Sequence, residues 1–146
     1  MSIKKEPAAE EIRYIAFRDL NFSYSIAEDA LFSERQAEAT QYDLEIVKML
    51  SLEDEVVRMV FTFHFRGDVG SKKEARCTYV TEHVFKPADF HSWVDKKKFT
   101  VDEDLDNMLT GIAYSTVRGA LIQKFNGTWF AGFILPIVKP AELGEF

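Results

Sequence analysis

The sequence has few of the residues that form disulfides or interrupt regular structure, and no long apolar run. One cysteine among 146 residues cannot close an internal disulfide, which excludes a disulfide-stabilised secreted scaffold. Seven glycines and four prolines are too few for a collagen-like or low-complexity chain. No apolar run approaches the roughly 20 residues of a membrane-spanning helix, and the start lacks an apolar signal-peptide core. We therefore expect a cytoplasmic protein without membrane insertion.

Positive charge is also in the minority. Eighteen Lys and Arg stand against 24 Asp and Glu, a net charge of -6, which argues against nucleic acid as a partner. The 47% apolar content is enough for one domain over residues 1–146. What the chain has in excess is aromatic: 13 Phe, 5 Tyr and 2 Trp. Most of these aromatic side chains should belong to the core. Any that are exposed along a groove would form a recognition surface.

Four segments alternate between apolar and polar residues, which predicts β-strands with one covered face. In the first, residues 12–26, every even position is apolar except Arg18. The other three strands are expected around residues 42–46, 57–65 and 77–85. A turn is expected at residues 67–71 and a crossover loop at residues 27–36. Four successive strands without intervening helices predict an antiparallel sheet.

One long helix follows the strands. Thr100 with Glu103 three residues later fits a capping box, and Asn126 with Gly127 marks the end. The predicted fold class is therefore α+β, a four-stranded antiparallel sheet with a long C-terminal amphipathic helix on one face. The helix carries two apolar arcs at 100° per residue. The first arc is Leu105, Met108, Leu109, Ile112 and Thr116, and the second is Tyr114, Val117, Leu121 and Phe125.

A helix that is apolar on two sides needs cover on both. Small residues between the arcs would let another backbone approach closely, and two interior glycines cost about 1 kcal/mol each relative to alanine. We therefore expect a homo-oligomer with this helix in the interface. The predicted interface residues are Leu109, Gly111, Ile112, Ser115 and Gly119. The alternative is that the apolar segment 129–138 covers the second arc within the same chain.

Residues with catalytic or metal-binding chemistry are sparse. His64, Cys77 and His83 lack the spacing of metal ligands, and Cys77 lies on the apolar side of its strand, as an inert core thiol would. The acidic residues at 43–45 fit a solvated strand face, and those at 102–106 fit a helix N-terminus. Phosphate-binding, dinucleotide and nucleophile-elbow motifs are absent. The sequence predicts no catalytic residues, no metal, no cofactor and no enzyme.

Three short motifs stand in a characteristic order along the chain. Residues 18–22, Arg-Asp-Leu-Asn-Phe, are similar to the Lys-Asp-Ile-Ser-Phe stretch of the SecB export-chaperone family. Cys77 with Phe85 resembles its last strand. The long helix running into Gly127-Thr128, with Pro136 after seven further residues, matches the spacing of the family's helix-ending Gly-Thr and its later proline.

The resemblance implies a SecB-like fold assembled as a dimer of dimers, a homotetramer. It also implies an ATP-independent holdase that binds unfolded polypeptides in apolar grooves, for protein export in that family. Many clients can bind because the hydrophobic effect is non-directional. The candidate groove residues are Leu31, Phe32, Tyr42, Leu44, Leu121 and Phe125.

Departures from the family concern its motor partner. SecB uses acidic positions on its exposed sheet face and a C-terminal tail to dock the SecA ATPase. Asp19 keeps one acidic position, but Ser23 and Thr78 replace others, and the sequence stops at Phe146 without such a tail. These departures argue against delivery to SecA. The alternatives are a dedicated SecB-like chaperone of one partner, such as an antitoxin, and a module that binds a small apolar ligand.

Overall fold

A four-stranded antiparallel sheet forms the centre of the chain. The computed structural model describes residues 6–26, 40–70 and 73–144. The strands are β1 (Ile12–Ser25), β2 (Gln41–Ser51), β3 (Val56–Gly70) and β4 (Lys73–Pro87), in the spatial order β1-β4-β3-β2. This confirms the predicted α+β class, its sheet and its single long helix. The expected crossover loop at 27–36 lies outside the described residues.

Alternation along the two central strands builds the core. Phe61, Phe63 and Phe65 of β3 point to the same face of the sheet and are at most 2% exposed. Tyr79 of β4 pairs opposite Phe63 and is equally buried. Because successive side chains of a strand point to opposite faces, the intervening residues lie on the other face, which is more exposed.

The alternation of β1 is interrupted by two β-bulges. The pairing with β4 shifts between Tyr14 and Ala16 and again between Asp19 and Asn21. Each extra residue reverses which parity faces the core. Between the bulges, Asp19 therefore pairs with Thr81 on the covered face, while Arg18 pairs with Glu82 on the uncovered face. The prediction that all even positions of β1 share one face was wrong over this stretch.

The hairpin between β3 and β4 is longer than the expected turn at 67–71. Both strands continue to its tip, and Gly67 pairs with Ala75 inside the ladder. A side chain at residue 67 would place its Cβ 1.8 Å from the indole of Trp129. Gly67 is thus a packing glycine, because the indole occupies the space of the missing side chain.

Short elements connect the sheet to the helix. A 3-10 turn, Phe90–Trp93, leads into a small antiparallel ribbon of β5 (Val94–Asp95) and β6 (Thr100–Val101). Helix α1 spans Glu103–Lys124. Two further 3-10 turns, Ala9–Glu11 and Pro140–Leu143, flank the domain. In the part of the chain that the structure describes, no helix is long and apolar enough to cross a membrane.

The N-cap of α1 is Asp102, so the predicted capping box was wrong. The carboxylate of Asp102 accepts hydrogen bonds from the backbone N–H groups of Asp104 and Leu105. Thr100 instead belongs to β6, where its backbone is extended. The helix ends close to the predicted Asn126-Gly127, with Phe125 as the C-cap and Gly127 at a φ of 78°.

Helix α1 buries a continuous apolar row at four-residue spacing, with Asp106, Thr110 and Tyr114 buried beside it, rather than two separate arcs. Because 3.6 residues complete a turn, such a row winds by about 40° at each step. It starts in the predicted first arc and ends in the second. The row is Leu105, Leu109, Ala113, Val117 and Leu121, each at most 1% exposed.

The segment after α1 folds back along the helix and covers the rest of the second arc. Tyr114 Oη donates to the carbonyl of Pro136 at 2.7 Å, and Arg118 Nε donates to the carbonyl of Leu135 at 2.8 Å. The Phe125 ring packs against Phe130, 5.3 Å between centroids. The same-chain alternative therefore holds for the second arc.

Candidate functional site: an apolar groove beside the helix

An open groove runs between the outward side of α1 and the returning segment. Helix residues Met108, Gly111, Ile112 and Ser115 line one wall. Met108, Gly111 and Ser115 lie on the side of α1 away from its buried row, and Ile112 lies at the edge, where it also packs against the core. Gly111 has no side chain and Ser115 a short one, so neither fills the groove. Met108 and Ile112 provide apolar contact area.

The second wall comes from the C-terminal segment. Ile137, Val138, Pro140 and Leu143 line it, and the groove between the walls has a volume of about 760 Å³. Ile137 is 86% exposed, which is unusual for a large aliphatic side chain beside an apolar groove. The groove is therefore open to solvent, mainly apolar and wide enough for several side chains of another chain.

Buried charges hold the C-terminal segment in place. Lys48 of β2 points to the covered face, where its Nζ lies 2.8 Å from Oδ1 of Asp106. Both side chains are 5% exposed, and the Asp106 carboxylate also accepts from Thr110 Oγ1 at 3.2 Å. Lys48 Nζ donates further to the carbonyl of Gly144 at 3.1 Å. One lysine thus ties β2, α1 and the end of the second wall together.

Close packing also fixes the second wall. A Cβ at Gly111 would lie 3.0 Å from Cγ of Pro140, so the proline ring rests directly on the helix backbone. Of the polar side chains that line the groove, those of Tyr114 and Arg118 donate to carbonyls just before the second wall, and that of Thr116 donates to its own helix. A pocket for a specific small ligand has polar groups that point toward the ligand. Here the Tyr114 and Arg118 side chains instead bind carbonyls of the same chain.

The candidate groove residues do not lie on one surface. Leu121 is 1% exposed and Phe125 is fully buried, so both are core residues and neither lines an open groove. Tyr42 and Leu44 are half-buried on β2, where the Tyr42 ring lies 6.2 Å from that of Phe133. Leu31 and Phe32 lie outside the described residues.

The predicted interface residues are mostly brought together. Gly111, Ile112 and Ser115 all line the groove, and Gly119 is exposed one turn further along, with nothing within 4 Å of its missing side chain. Leu109 is fully buried against the sheet, so it cannot contact a second chain. The outward face of α1 is therefore the accessible part of the predicted interface.

Asp19 does not lie on the uncovered sheet face. Because the bulge reverses the parity of β1, its carboxylate points toward the end of α1, where Lys124 Nζ lies at 2.6 Å and Tyr79 Oη at 2.5 Å. Burial acts to raise the pKa of Asp19, and the hydrogen bonds from Lys124 and Tyr79 more than offset this, so its pKa is lowered. The position predicted for docking a motor ATPase instead fastens the helix to β1.

The three residues with metal-ligand chemistry do not converge on one face of the sheet. Cys77 is 2% exposed, as expected for a core thiol, and burial raises its pKa to about 12. His83 is fully buried and is hydrogen-bonded to Tyr14 and Thr81. His64 is exposed on the other face of the sheet. Within the described residues, no three His, Cys, Asp or Glu side chains are placed to hold a metal ion.

Sequence reasoning missed the second wall of the groove. Ile137, Val138, Pro140 and Leu143 belong to a segment without regular periodicity, which gives no amphipathic pattern to detect. Two prolines in the segment, Pro136 and Pro140, were the available signal, since proline favours an extended backbone.

The fold is that of the SecB-like chaperones. A solved structure of a SecB-like chaperone from Mycobacterium tuberculosis, Rv1957 in complex with a ChAD peptide from the HigA1 antitoxin Rv1956, superposes with a TM-score of 0.57 at 13% identity. The match covers 89% of this chain and 92% of that one. A protein of unknown function from Streptococcus agalactiae matches at a TM-score of 0.42 and 11% identity, over 87% of this chain and 98% of that one. No family model and no curated protein matches the sequence.

Proposed function

We propose that this protein is an ATP-independent chaperone, without catalytic activity, that holds non-native polypeptide segments in the groove beside α1. The observation that carries the proposal is an open apolar groove on the helix of a SecB-like fold. Unfolded chains expose the apolar side chains that such a groove can bury. Burying one aliphatic side chain stabilises the bound state by about 1.5–3 kcal/mol.

A dedicated client is the second form of this proposal. The Mycobacterium tuberculosis structure holds a peptide of an antitoxin, which shows that one chaperone of this fold binds a segment of a partner. The groove has room for several side chains, so it suits a short segment as well as part of a long unfolded chain. A general holdase and a dedicated chaperone differ only in whether one client sequence binds much more tightly than other unfolded chains.

Assembly into a dimer of dimers is part of the proposal. The exposed end of the outward helix face, at Gly119 and the 47% exposed Ile122, is the part that a second helix would cover. Several grooves in one assembly would engage one client at several points, which raises the overall affinity. SecA docking and protein export have less support, because Asp19 is occupied in fastening the helix.

Binding of a labelled, permanently unfolded polypeptide, followed by fluorescence anisotropy without nucleotide, tests the groove. Ile137→Asp places a charge on the groove wall at an exposed position, and we expect it to weaken binding about tenfold or more. Ile134→Asp is the matched control, since Ile134 is 50% exposed on the same segment but does not line the groove. Equal affinities for the wild type and Ile137→Asp would contradict the proposal.

Assembly is tested separately by light scattering. Gly119→Arg adds a long charged side chain where the single chain has open space, so the monomer should fold and the assembly should not form. Asn126→Arg, at an exposed position just beyond the helix, should leave the mass unchanged. A Gly119→Arg variant with the wild-type mass would place the interface elsewhere.

A further inference from the structure

The uncovered face of the sheet carries an arrangement of charges that the groove does not use. Arg18 of β1 lies directly opposite Glu82 of β4, and Arg58 of β3 reaches the same carboxylate diagonally. Arg18 contacts one carboxylate oxygen, and Arg58 contacts the other through both Nε and Nη2. We call these three residues the arginine clamp.

Glu82 is buried although it lies on the face that α1 does not cover. Its side chain is 2% exposed because the two arginines lie over it, and they are themselves 65% and 46% exposed. Burial acts to raise the pKa of Glu82, but hydrogen bonds and charge from Arg58 and Arg18 outweigh this and lower it. The carboxylate therefore stays ionised and holds both guanidinium groups in position.

The clamp retains positive charge and donors for a further partner. Two guanidinium groups share one carboxylate, so one positive charge is uncompensated, in a chain whose net charge is -6. A guanidinium has five N–H donors in a planar fork, more than one carboxylate can accept. At the adjoining end of the sheet, Arg13 and Lys86 line a cleft with Glu10, Glu11 and Glu55, so charges offset there.

Apolar side chains continue from the clamp across the same face. In the ladder, Val60 lies between Val47 and Glu82, and Arg58 lies between Met49 and Val84. Val47 is 56% exposed, and the other three apolar residues are partly exposed. The clamp therefore borders an apolar strip on a sheet face whose opposite side carries α1 and the core.

We propose that this face docks an acidic segment of a partner protein, with a carboxylate on the arginine clamp and apolar side chains on the strip. Charge complementarity selects the occupant, because the clamp joins two guanidinium groups to one carboxylate on an otherwise acidic chain. A basic segment would be repelled by both guanidinium groups. The surface is distinct from the helix groove, so the inference stands independently of the proposed function.

Titration with a fluorescent peptide of alternating glutamate and valine tests the proposal. We expect binding that weakens as salt is raised, since the clamp is partly exposed to solvent. Arg18→Gln or Arg58→Gln should each weaken binding about tenfold, the loss expected for one charge-assisted hydrogen-bonded contact. The triple variant Arg18→Gln, Arg58→Gln, Glu82→Gln removes the clamp without leaving a buried charge unpaired, and it should abolish binding.

Two controls separate the clamp from general effects. Arg66→Gln removes a cation from the same face, where Arg66 already pairs with Asp43 at 3.0 Å, and it should leave the affinity unchanged. Ile137→Asp, in the helix groove, should also leave it unchanged. The proposal is wrong if Arg66→Gln weakens binding as much as Arg58→Gln, or if a lysine–valine peptide binds equally well. It is also wrong if the clamp variants instead change the mass of the protein alone, since a second copy would then occupy this face.

Discussion

At the residue scale, burial decides the chemistry of His83. The side chain is fully buried between the rings of Phe17 and Phe61, with Tyr14 and Thr81 as hydrogen-bond partners. Burial lowers its pKa from 6.5 to about 4, against a smaller raising effect of the Glu82 charge. The imidazole is therefore neutral at physiological pH and serves the core.

This shift predicts a loss of stability in mild acid. Between pH 6.5 and about 4 the unfolded chain binds a proton at His83 that the folded chain excludes, so stability falls as pH falls. Across this window the free energy of unfolding falls by about 3 kcal/mol, because protonation of His83 is linked to unfolding. Urea unfolding at both ends of this window, in wild type and His83→Gln, measures it. A variant with the same pH dependence as the wild type would contradict the assignment.

Gly67 supports a second prediction at this scale. Gly67→Ala places a methyl group where the Trp129 indole lies, so we expect a loss of about 1–3 kcal/mol in unfolding free energy. Trp129→Leu makes room for that methyl group. In the double variant the effect of Gly67→Ala should shrink, and strictly additive effects would show that the indole is not the cause.

At the scale of elements, the ion pair of Lys48 and Asp106 joins β2, α1 and the C-terminal segment. Lys48→Met leaves a carboxylate buried without its cation, and we expect a cost of about 3–5 kcal/mol. Replacing both partners, by Lys48→Met with Asp106→Leu, should restore most of the stability. Chemical denaturation of the wild type, the single variants Lys48→Met and Asp106→Leu, and the double variant gives the coupling. A double variant as unstable as the single one would contradict this account of the pair.

The regular elements were predictable from the sequence where periodicity alone determines them. Strands β3 and β4 stay in register from the Val57–Phe85 pair to the Asp68–Glu74 pair, so their inward residues could be read directly over this length. The bulges of β1 could not, because one extra residue changes the parity without changing the composition. Asp19 was therefore expected on the uncovered face and lies on the covered one.

The helix shows a second limit of pattern reasoning. A projection at 100° per residue separates Leu105 from Leu121, although both are buried in the same hydrophobic core. The projection cannot show that the surface covering a long helix changes along its length. The small residues Gly111 and Ser115 line the groove, and their part in an interface between chains stays a prediction.

At the scale of the whole molecule, we propose partners for two faces of the part of the chain that the structure describes. The helix groove is apolar and lies on one side of the sheet, and the arginine clamp with its strip lies on the other. The groove could be anticipated only in part, because one wall is helical and patterned while the other is irregular. The clamp could not be anticipated, because its three residues come from three strands whose register depends on a bulge.

The central claim is that an assembly of this chain holds non-native polypeptides without nucleotide. Size-exclusion chromatography with light scattering, on the protein alone and mixed with a permanently unfolded polypeptide, tests it most directly. We expect a tetramer that co-elutes with the unfolded chain, and a tetramer of Ile137→Asp that elutes without it. A wild-type protein that leaves the unfolded chain to elute alone would contradict the claim of a general holdase, and a monomer would contradict the assembly.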